Sequence, residues 1–490
     1  MALVTAPGTL FDTLQREFCL RYRDSDPLDL EAGTVVVVPS LTFPLSELRK
    51  IVAIQHYEER MLYLLLLLRR RGVRVIYLSS LPIEGAVIDY YLGFLPDPAA
   101  ACERLHLRSV GDPAPRPLSA KLLERPDLLE SVRELIDDPA RAFVLPFNVT
   151  VLEGQLGEAL GLPVYGPRPS HAALGSKTGS RRVARRAGVP VLPGAEDLWS
   201  LGEVEWAVRR LAQRHPKPPG VVVKLNNGFS GQGNAVVALD RFTGSLDDAT
   251  TSFCAAGESW ASFAGKIREG GAVVEELLRA PGAVSPSVQL RITPGGHARV
   301  LSTHDQVLGG PNQQIYLGCR FPADAAYRSA IQEAARRAAQ VLAGHGVIGS
   351  FGIDFFAVPG GRQRWQVYLA EINLRIGGTT HPFGLAQLAM DATYDAGSGR
   401  LHAGGRAKSY VCTDNFKSER LLGVAPAAVI ARLARQGLTF DPKRNTGVTL
   451  HLLGALRGYG KMGMTCIGDS PAEAEQLYRE AAATLDRPSA

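Results

Sequence analysis

The chain has 490 residues, 46% of them hydrophobic and 21% charged, with a formal net charge of +6. That supplies apolar material for roughly two or three domains, while the arginines are dispersed (Arg69–Arg71; Arg181, Arg182, Arg185, Arg186) and read as solvated helix faces, not a nucleic-acid footprint. The longest apolar run, Met61–Leu68, is too short for a bilayer, the start lacks a basic segment leading into an apolar one, and the six cysteines form no CxxC, so the expectation is a cytoplasmic protein with reduced thiols and no membrane partner.

Residues 33–38, Gly-Thr-Val-Val-Val-Val, read as a buried strand. A long helical stretch over 45–71 and a second strand over 73–77 complete a βαβ pattern. No GxGxxG follows the first strand, and Gly154, Gly157 and Gly161 fall in a helical pattern, so dinucleotide binding is not indicated. Phe143–Pro146 and Pro163–Tyr165 close this region, and Gly166-Pro-Arg-Pro169 marks a boundary. An α/β domain over 1–168 is expected to cap the unit that follows. Ser176–Ala187 reads as a helix stopped by Gly188-Val-Pro190.

Val221-Val-Val-Lys224 is a buried-strand pattern ending in a lysine, followed by the glycine-rich Asn226-Asn-Gly-Phe-Ser-Gly-Gln-Gly-Asn234. A lone glycine loop is usually only a turn. Here the preceding strand sets Lys224 where desolvation is costly unless the ammonium meets an anion, so a phosphate partner is expected.

Residues 350–358 and 364–373 both have strand composition, with Pro359-Gly360-Gly361 as the turn between them. Glu371 and Asn373 then share a face, and the antiparallel return sets Asp354 beside them, while Phe351, Ile353 and Phe355 bury the opposite face. Three oxygen ligands converge in a set suited to Mg²⁺.

Between these motifs, Ser302–Gln306 and Gly309–Arg320 offer amides, glycines and an arginine as a polar surface for a substrate. After Arg400, Gly404-Gly405 opens a third piece, with helices near 424–436 and 471–485 around a strand-like 446–453.

In chain order, Ser176-Lys177, Lys224 with its loop, Ala272-Val-Val-Glu-Glu-Leu-Leu278, Asp354 and Glu371-Ile-Asn373-Leu-Arg375 resemble the ATP-grasp superfamily, ATP-dependent ligases that hold nucleotide between two α+β subdomains. The resemblance implies an α/β N-terminal domain (1–168), an ATP-grasp α+β catalytic unit (169–403) and a small α+β C-terminal domain (404–490). It implies that Lys177 and Lys224 hold the α- and β-phosphates of ATP, that the loop with Gly228, Ser230, Gly231 and Gly233 covers the γ-phosphate, and that the hinge presents Glu275, Glu276 and Leu278 to adenine. Asp354, Glu371 and Asn373 would hold Mg²⁺. The chain departs from the pattern at Gly352, where the D-alanine ligases carry an arginine, so Arg291 or Arg375 is the catalytic candidate, and at 283–288, where hydroxyls replace a ribose-binding glutamate.

With Gly377-Gly-Thr-Thr-His-Pro382 and Gly458-Tyr-Gly-Lys-Met-Gly-Met464 added, the likeness is to the pheganomycin-type peptide ligases over nearly the whole chain. It implies that a small carboxylate substrate, a guanidino-bearing amino-acid derivative, is activated by ATP as an acyl phosphate and joined to a peptide amine. His381 is a candidate proton acceptor. The C-terminal piece would extend a peptide groove, cap apolar surface or serve a homodimer contact; a free amino acid or other small amine is the alternative acceptor, and a non-catalytic ATP-binding protein the remaining alternative.

Overall fold

The computed structural model describes residues 9–214, 216–228, 233–255, 257–309, 315–360 and 364–487. Ser230 and Gly231 of the expected phosphate loop therefore lie outside the described residues. Four parallel strands, β1 (Ala32–Val38), β2 (Gly72–Ser79), β3 (Leu105–Ser109) and β4 (Ala142–Pro146), form the first sheet in the order β3-β2-β1-β4. The valine run of β1 is buried on both faces: Val35 and Val37 pack in one core, Val36 and Val38 in another that includes Leu118, Leu129 and Leu156. Strand order reverses beside β1, so the loops after β1 and β4 border the crevice where open α/β sheets place ligands.

The helical stretch expected over 45–71 is divided. Leu45–Leu48 is α-helical, Ala53 takes a left-handed φ of 63°, and Ile54–Arg69 follows as a helix of 3-10 type. Met61–Leu68 is buried throughout because it is covered on both sides: Tyr63, Leu65 and Leu67 belong to the same core as Val35 and Tyr77 of the first sheet and Leu421, Leu433 and Met462 of the C-terminal segment.

A second, antiparallel sheet comprises β5 (Gly194–Leu198), β6 (Gly220–Leu225), β7 (Asn234–Ala238), β8 (Thr251–Phe253) and β9 (Ala272–Glu276), in the order β5-β9-β6-β7-β8. Val221 and Val223 of β6 pack under the helices Leu201–Ala212 and Trp260–Gly270, which turns Val222 and Lys224 to the other face.

The largest sheet is built from β10 (Pro286–Ile292), β11 (Ala298–Gly309), β12 (Ile315–Phe321), β13 (Gly349–Pro359), β14 (Trp365–Asn373), β15 (Thr393–Asp395), β16 (Arg400–Ala403), β17 (Arg406–Lys417), β18 (Gly447–His451) and β19 (Lys461–Gly468). Its order is β14-β13-β10-β11-β12-β17, and β17 also pairs with β16 and β19. Val288, Leu290, Phe351, Ile353 and Phe355 face the long helix Ala325–Gly344 in an apolar layer. Because β17 bonds to β12, residues 406–417 continue the sheet that carries the acidic motif. No helix of the described residues is long and apolar enough to cross a membrane.

Candidate active site

The expected hairpin is present, and its register sets the site. Asp354 of β13 lies opposite Glu371 of β14 and Ser287 of β10; one step along, Gly352 lies between Asn373 and Gln289; one further, Ser350 lies opposite Arg291. Directly opposed residues share a face, so these rows form one polar surface on the side of the sheet away from the Ala325–Gly344 helix. A bulge between Asp354 and Phe355 leaves Ala370 without a directly opposed partner, next to the two carboxylates.

Asp354 accepts from Gln306 Nε2 (2.7 Å) at one oxygen and from Asn373 Nδ2 (3.0 Å) at the other, and Asn373 Oδ1 accepts from Arg375 Nη2 (2.9 Å). Burial, and then the charge of Glu371, push the Asp354 carboxyl up to about 7. Two carboxylates and an amide oxygen are a donor set that Mg²⁺ fits.

Lys177 opens the helix Lys177–Arg186, whose N-cap is Ser176. Its backbone N–H donates to Asn226 O, and the next N–H, of Thr178, to Asn226 Oδ1, while Ser180 Oγ accepts from the Ile372 N–H. One helix start thus touches both the base of the glycine loop and β14, and Lys177 Nζ makes an ion pair with Glu371. At the loop base, a Cβ on Gly228 would sit 3.1 Å from Gly233 Cα, so the two arms approach as closely as glycine permits.

Lys224 does not wait for an anion. Its Nζ lies 2.6 Å from Glu275 Oε2, while Arg181 Nη1 holds Glu275 Oε1 at 2.5 Å. Burial would raise the Glu275 carboxyl, but Lys224 and Arg181 outweigh it and hold it below its ordinary range. Glu275 is 2% exposed with both oxygens engaged, so its side chain is a counter-ion in the core rather than a free group of the expected hinge. Lys224 Nζ also lies 5.8 Å from the Phe356 ring of β13, where the second and third sheets approach each other. Arg181, read from sequence as a solvated helix residue, is 2% exposed, whereas Arg182, Arg185 and Arg186 are exposed as that reading has them.

The two arginine candidates separate. Arg291 sits four residues along β10 from the Asp354 row, about 13 Å away, and is committed to Asp26 Oδ2 (2.9 Å) and Ser350 Oγ (3.0 Å). Arg375 stands beside Asn373 and Asp354, with its guanidinium 5.5 Å and 6.0 Å from the rings of Phe43 and Phe147. Those phenylalanines come from the loops after β1 and β4, which are clasped by Thr42 N–H to Asn148 Oδ1 and Asn148 Nδ2 to Thr42 O, both 3.0 Å. The N-terminal sheet therefore contributes a wall beside Arg375 and the acidic hairpin. Sequence reasoning missed Phe43 and Phe147, since nothing local to them signals this contact, whereas Gln306 lies at the end of the polar 302–306 segment it had singled out.

His381 is a core residue, 2% exposed, with its imidazole pushed down to about 4 by burial. Its Nε2 lies 3.1 Å from Asp414 Oδ1 without hydrogen-bond geometry, and His451 Nε2 lies 2.7 Å from the same oxygen. Among the described residues these two histidines, Asp414 and Cys412 are near enough to ligate a metal, but the Arg60 guanidinium already pairs with Asp414 and balances its charge.

Residues 247–396 match the family model described as IQCH-like, ATP-grasp, and 428–481 the PGM1 C-terminal domain. The chain is 32% identical over 479 residues to an L-propargylglycine–L-glutamate ligase of Streptantibioticus cattleyicolor, covering 96% of each chain. Among solved structures it resembles N5-carboxyaminoimidazole ribonucleotide synthetase in its ADP complex (TM-score 0.52, 15% identity, 92% of this chain and 96% of that one) and a biotin carboxylase–nucleotide complex from Campylobacter jejuni (0.56, 14%, 92% and 90%), likenesses of fold. With an N-terminal α/β sheet, two further sheets, and a relative of this identity along its whole length, the chain belongs to the ATP-grasp ligases of the pheganomycin type, carbon–nitrogen ligases that use ATP with Mg²⁺ to form an amide bond.

Proposed function

We propose that this protein activates the carboxylate of one amino-acid substrate as an acyl phosphate and transfers the acyl group to the amine of a second amino acid. The observation that carries this reading is the convergence of Asp354, Glu371, Asn373, Lys177 and Arg375 at one end of the sheet face, walled by Phe43 and Phe147. A carboxylate is a poor acyl donor until it has a leaving group, and phosphoryl transfer to it demands in-line positioning with cations on the developing charge. Mg²⁺, held by Asp354, Glu371 and Asn373, would supply charge neutralisation on the phosphates.

Lys177 and Lys224 would exchange their carboxylate partners for phosphate oxygens, and Arg375, oriented by Asn373 Oδ1 and the two rings, would hold the substrate carboxylate. The crevice between the N-terminal loops and β13–β14 would exclude water from the activated acyl group.

The choice between a free amino acid and a peptide as acceptor turns on the C-terminal segment. A relative of the same length, C-terminal segment included, is named for two free amino acids, and in this fold Leu421, Leu433 and Met462 of that segment are occupied in the core they share with Tyr63 and Leu65. Both facts favour the small-amine reading over the guanidino donor and peptide groove.

Purified protein with ATP and Mg²⁺ is given pairs of L-amino acids, L-glutamate with L-propargylglycine among them, then guanidino carboxylates with peptides of increasing length. Amide product with ADP and phosphate is expected from an amino-acid pair. AMP with pyrophosphate overturns the acyl-phosphate reading, and kcat/KM rising steeply from amino acid to peptide overturns the choice of acceptor.

A further inference from the structure

The arginine that D-alanine ligases carry two residues before the metal aspartate is replaced here by Gly352, and the space above that glycine is filled. A Cβ at 352 would lie 2.7 Å from Gln289 Nε2, so the amide of Gln289 rests where a side chain at 352 would begin, in the row that also holds Asn373. Gln289 is 4% exposed, and its orientation is set by a relay: the Gly377 N–H donates to Thr380 Oγ1 (3.0 Å) and the Thr380 hydroxyl donates to Gln289 Oε1 (2.9 Å). The reverse amide orientation would leave the Thr380 hydroxyl proton without this acceptor, so the network assigns the oxygen to Thr380 and the nitrogen to Gly352. Among the described residues Nε2 donates to nothing. A nearly buried amide with one end fixed and its donor end unused beside the metal ligands is unusual for a purely structural glutamine.

We propose that Gln289 Nε2 is the hydrogen-bond donor to the acyl oxygen during amide formation, taking part of the role of the absent arginine, with Thr380 as its positioning residue. This rests on the acyl-phosphate reading above. The amine nitrogen attacks the carbonyl carbon of the acyl phosphate, and the carbonyl π electrons move onto oxygen, where the Gln289 N–H meets the developing charge. The C–N bond is then complete, the C–O bond to phosphate breaks with its electron pair leaving on phosphate, and the ammonium proton passes to that phosphate. A neutral donor stabilises the oxyanion without pairing with the nearby carboxylates of Asp354 and Glu371, as an arginine at 352 would.

The test separates the two half-reactions. Carboxylate-dependent positional isotope exchange in ATP reports acyl-phosphate formation; amide product reports the second step. The substrates are L-glutamate with L-propargylglycine, or the fastest amino-acid pair if that pair gives no product. Gln289→Glu, which keeps the shape and removes the donor, is expected to lower kcat for amide formation on the order of 100-fold while exchange persists. Thr380→Val, which frees the amide to rotate, should fall in the same direction, and Thr380→Ser should restore the wild-type split between exchange and ligation. Equal loss of exchange and ligation in Gln289→Glu and Thr380→Val, or no loss in either, overturns the role of Gln289. Absence of exchange in the wild type, with AMP as product, overturns the acyl-phosphate reading itself. If Gln289→Glu fails to fold, the Thr380 pair decides.

Discussion

Replacing Lys224 by Met tests the buried Arg181–Glu275–Lys224 cluster as a unit of both stability and nucleotide binding. The substitution keeps the apolar stem and removes the ammonium, leaving the Glu275 carboxylate, 2% exposed, with Arg181 alone. Removing one partner of a buried ion pair costs about 3–5 kcal/mol, and because Arg181 still holds one oxygen, about 2 kcal/mol is expected here. Glu275→Gln alone sets two cations around a neutral amide and should cost a similar ~2 kcal/mol. The double variant loses the charge and its counter-charge together, and Arg181 keeps Glu196 at 3.0 Å. Its destabilisation should fall short of the sum of the single effects by at least ~1 kcal/mol. Urea unfolding followed by tryptophan fluorescence suits the question, because Trp199, Trp206 and Trp260 lie in or beside the second sheet and only Trp365 lies in the third. ATP affinity, measured in parallel, should stay weak in the double variant, since the phosphate loses its cation whether or not the fold is repaired. Additivity within about 0.5 kcal/mol would refute the buried pairing, and recovery of ATP affinity in the double variant would show that Lys224 serves only Glu275.

Glu371→Gln should abolish ligation and leave the melting temperature equal or higher, because it removes the charge facing Asp354; a marked loss of stability with ligation retained would make the pair structural. Glu58 is buried, with its carboxyl pushed up to about 7 from an ordinary 4.5. Its folded value lies above its unfolded one, so its contribution is full below pH 4.5 and is lost as pH rises through 7, about 3 kcal/mol in all. Glu58→Gln should flatten that decline in thermal-shift scans, and an unchanged profile would place Glu58 outside it. Gly233→Ala adds a Cβ 2.9 Å from Gly228 Cα and should raise the KM for ATP more than that for the amino acids by spreading the loop base; the opposite order would detach Gly228 and Gly233 from the nucleotide.

Some of this protein was legible in local pattern. Period-two alternation was sufficient to place Glu371 and Asn373 on one face, since side-chain direction along a strand depends only on residue parity, but Asp354 lies opposite Glu371 because the bulge between Asp354 and Phe355 shifts the turn's register by one residue. The unbroken valines of 35–38 and 221–223 announced strands covered on both faces, and Ser176 and Gly188 bounded a helix by the chemistry of its ends. What packing decided has no local signature. Arg181 and Arg182 are neighbours of the same type, yet one is buried between Glu196 and Glu275 and the other is exposed and pairs with Asp197 at the surface, because Arg181 lies on the side of the helix that the packing of β5 and β9 covers. Arg291 and Arg375 were equal candidates until packing paired Arg291, about 13 Å along β10 from the Asp354 row, with Asp26 and left Arg375 bonded to Asn373. Likewise the segment after 404 reads as a separate piece by its glycines, but β17 joins β12 and its apolar side chains complete the core around Tyr63 and Leu65. Hydrogen bonding between strands nearly a hundred residues apart is a tertiary fact that composition at a boundary does not encode.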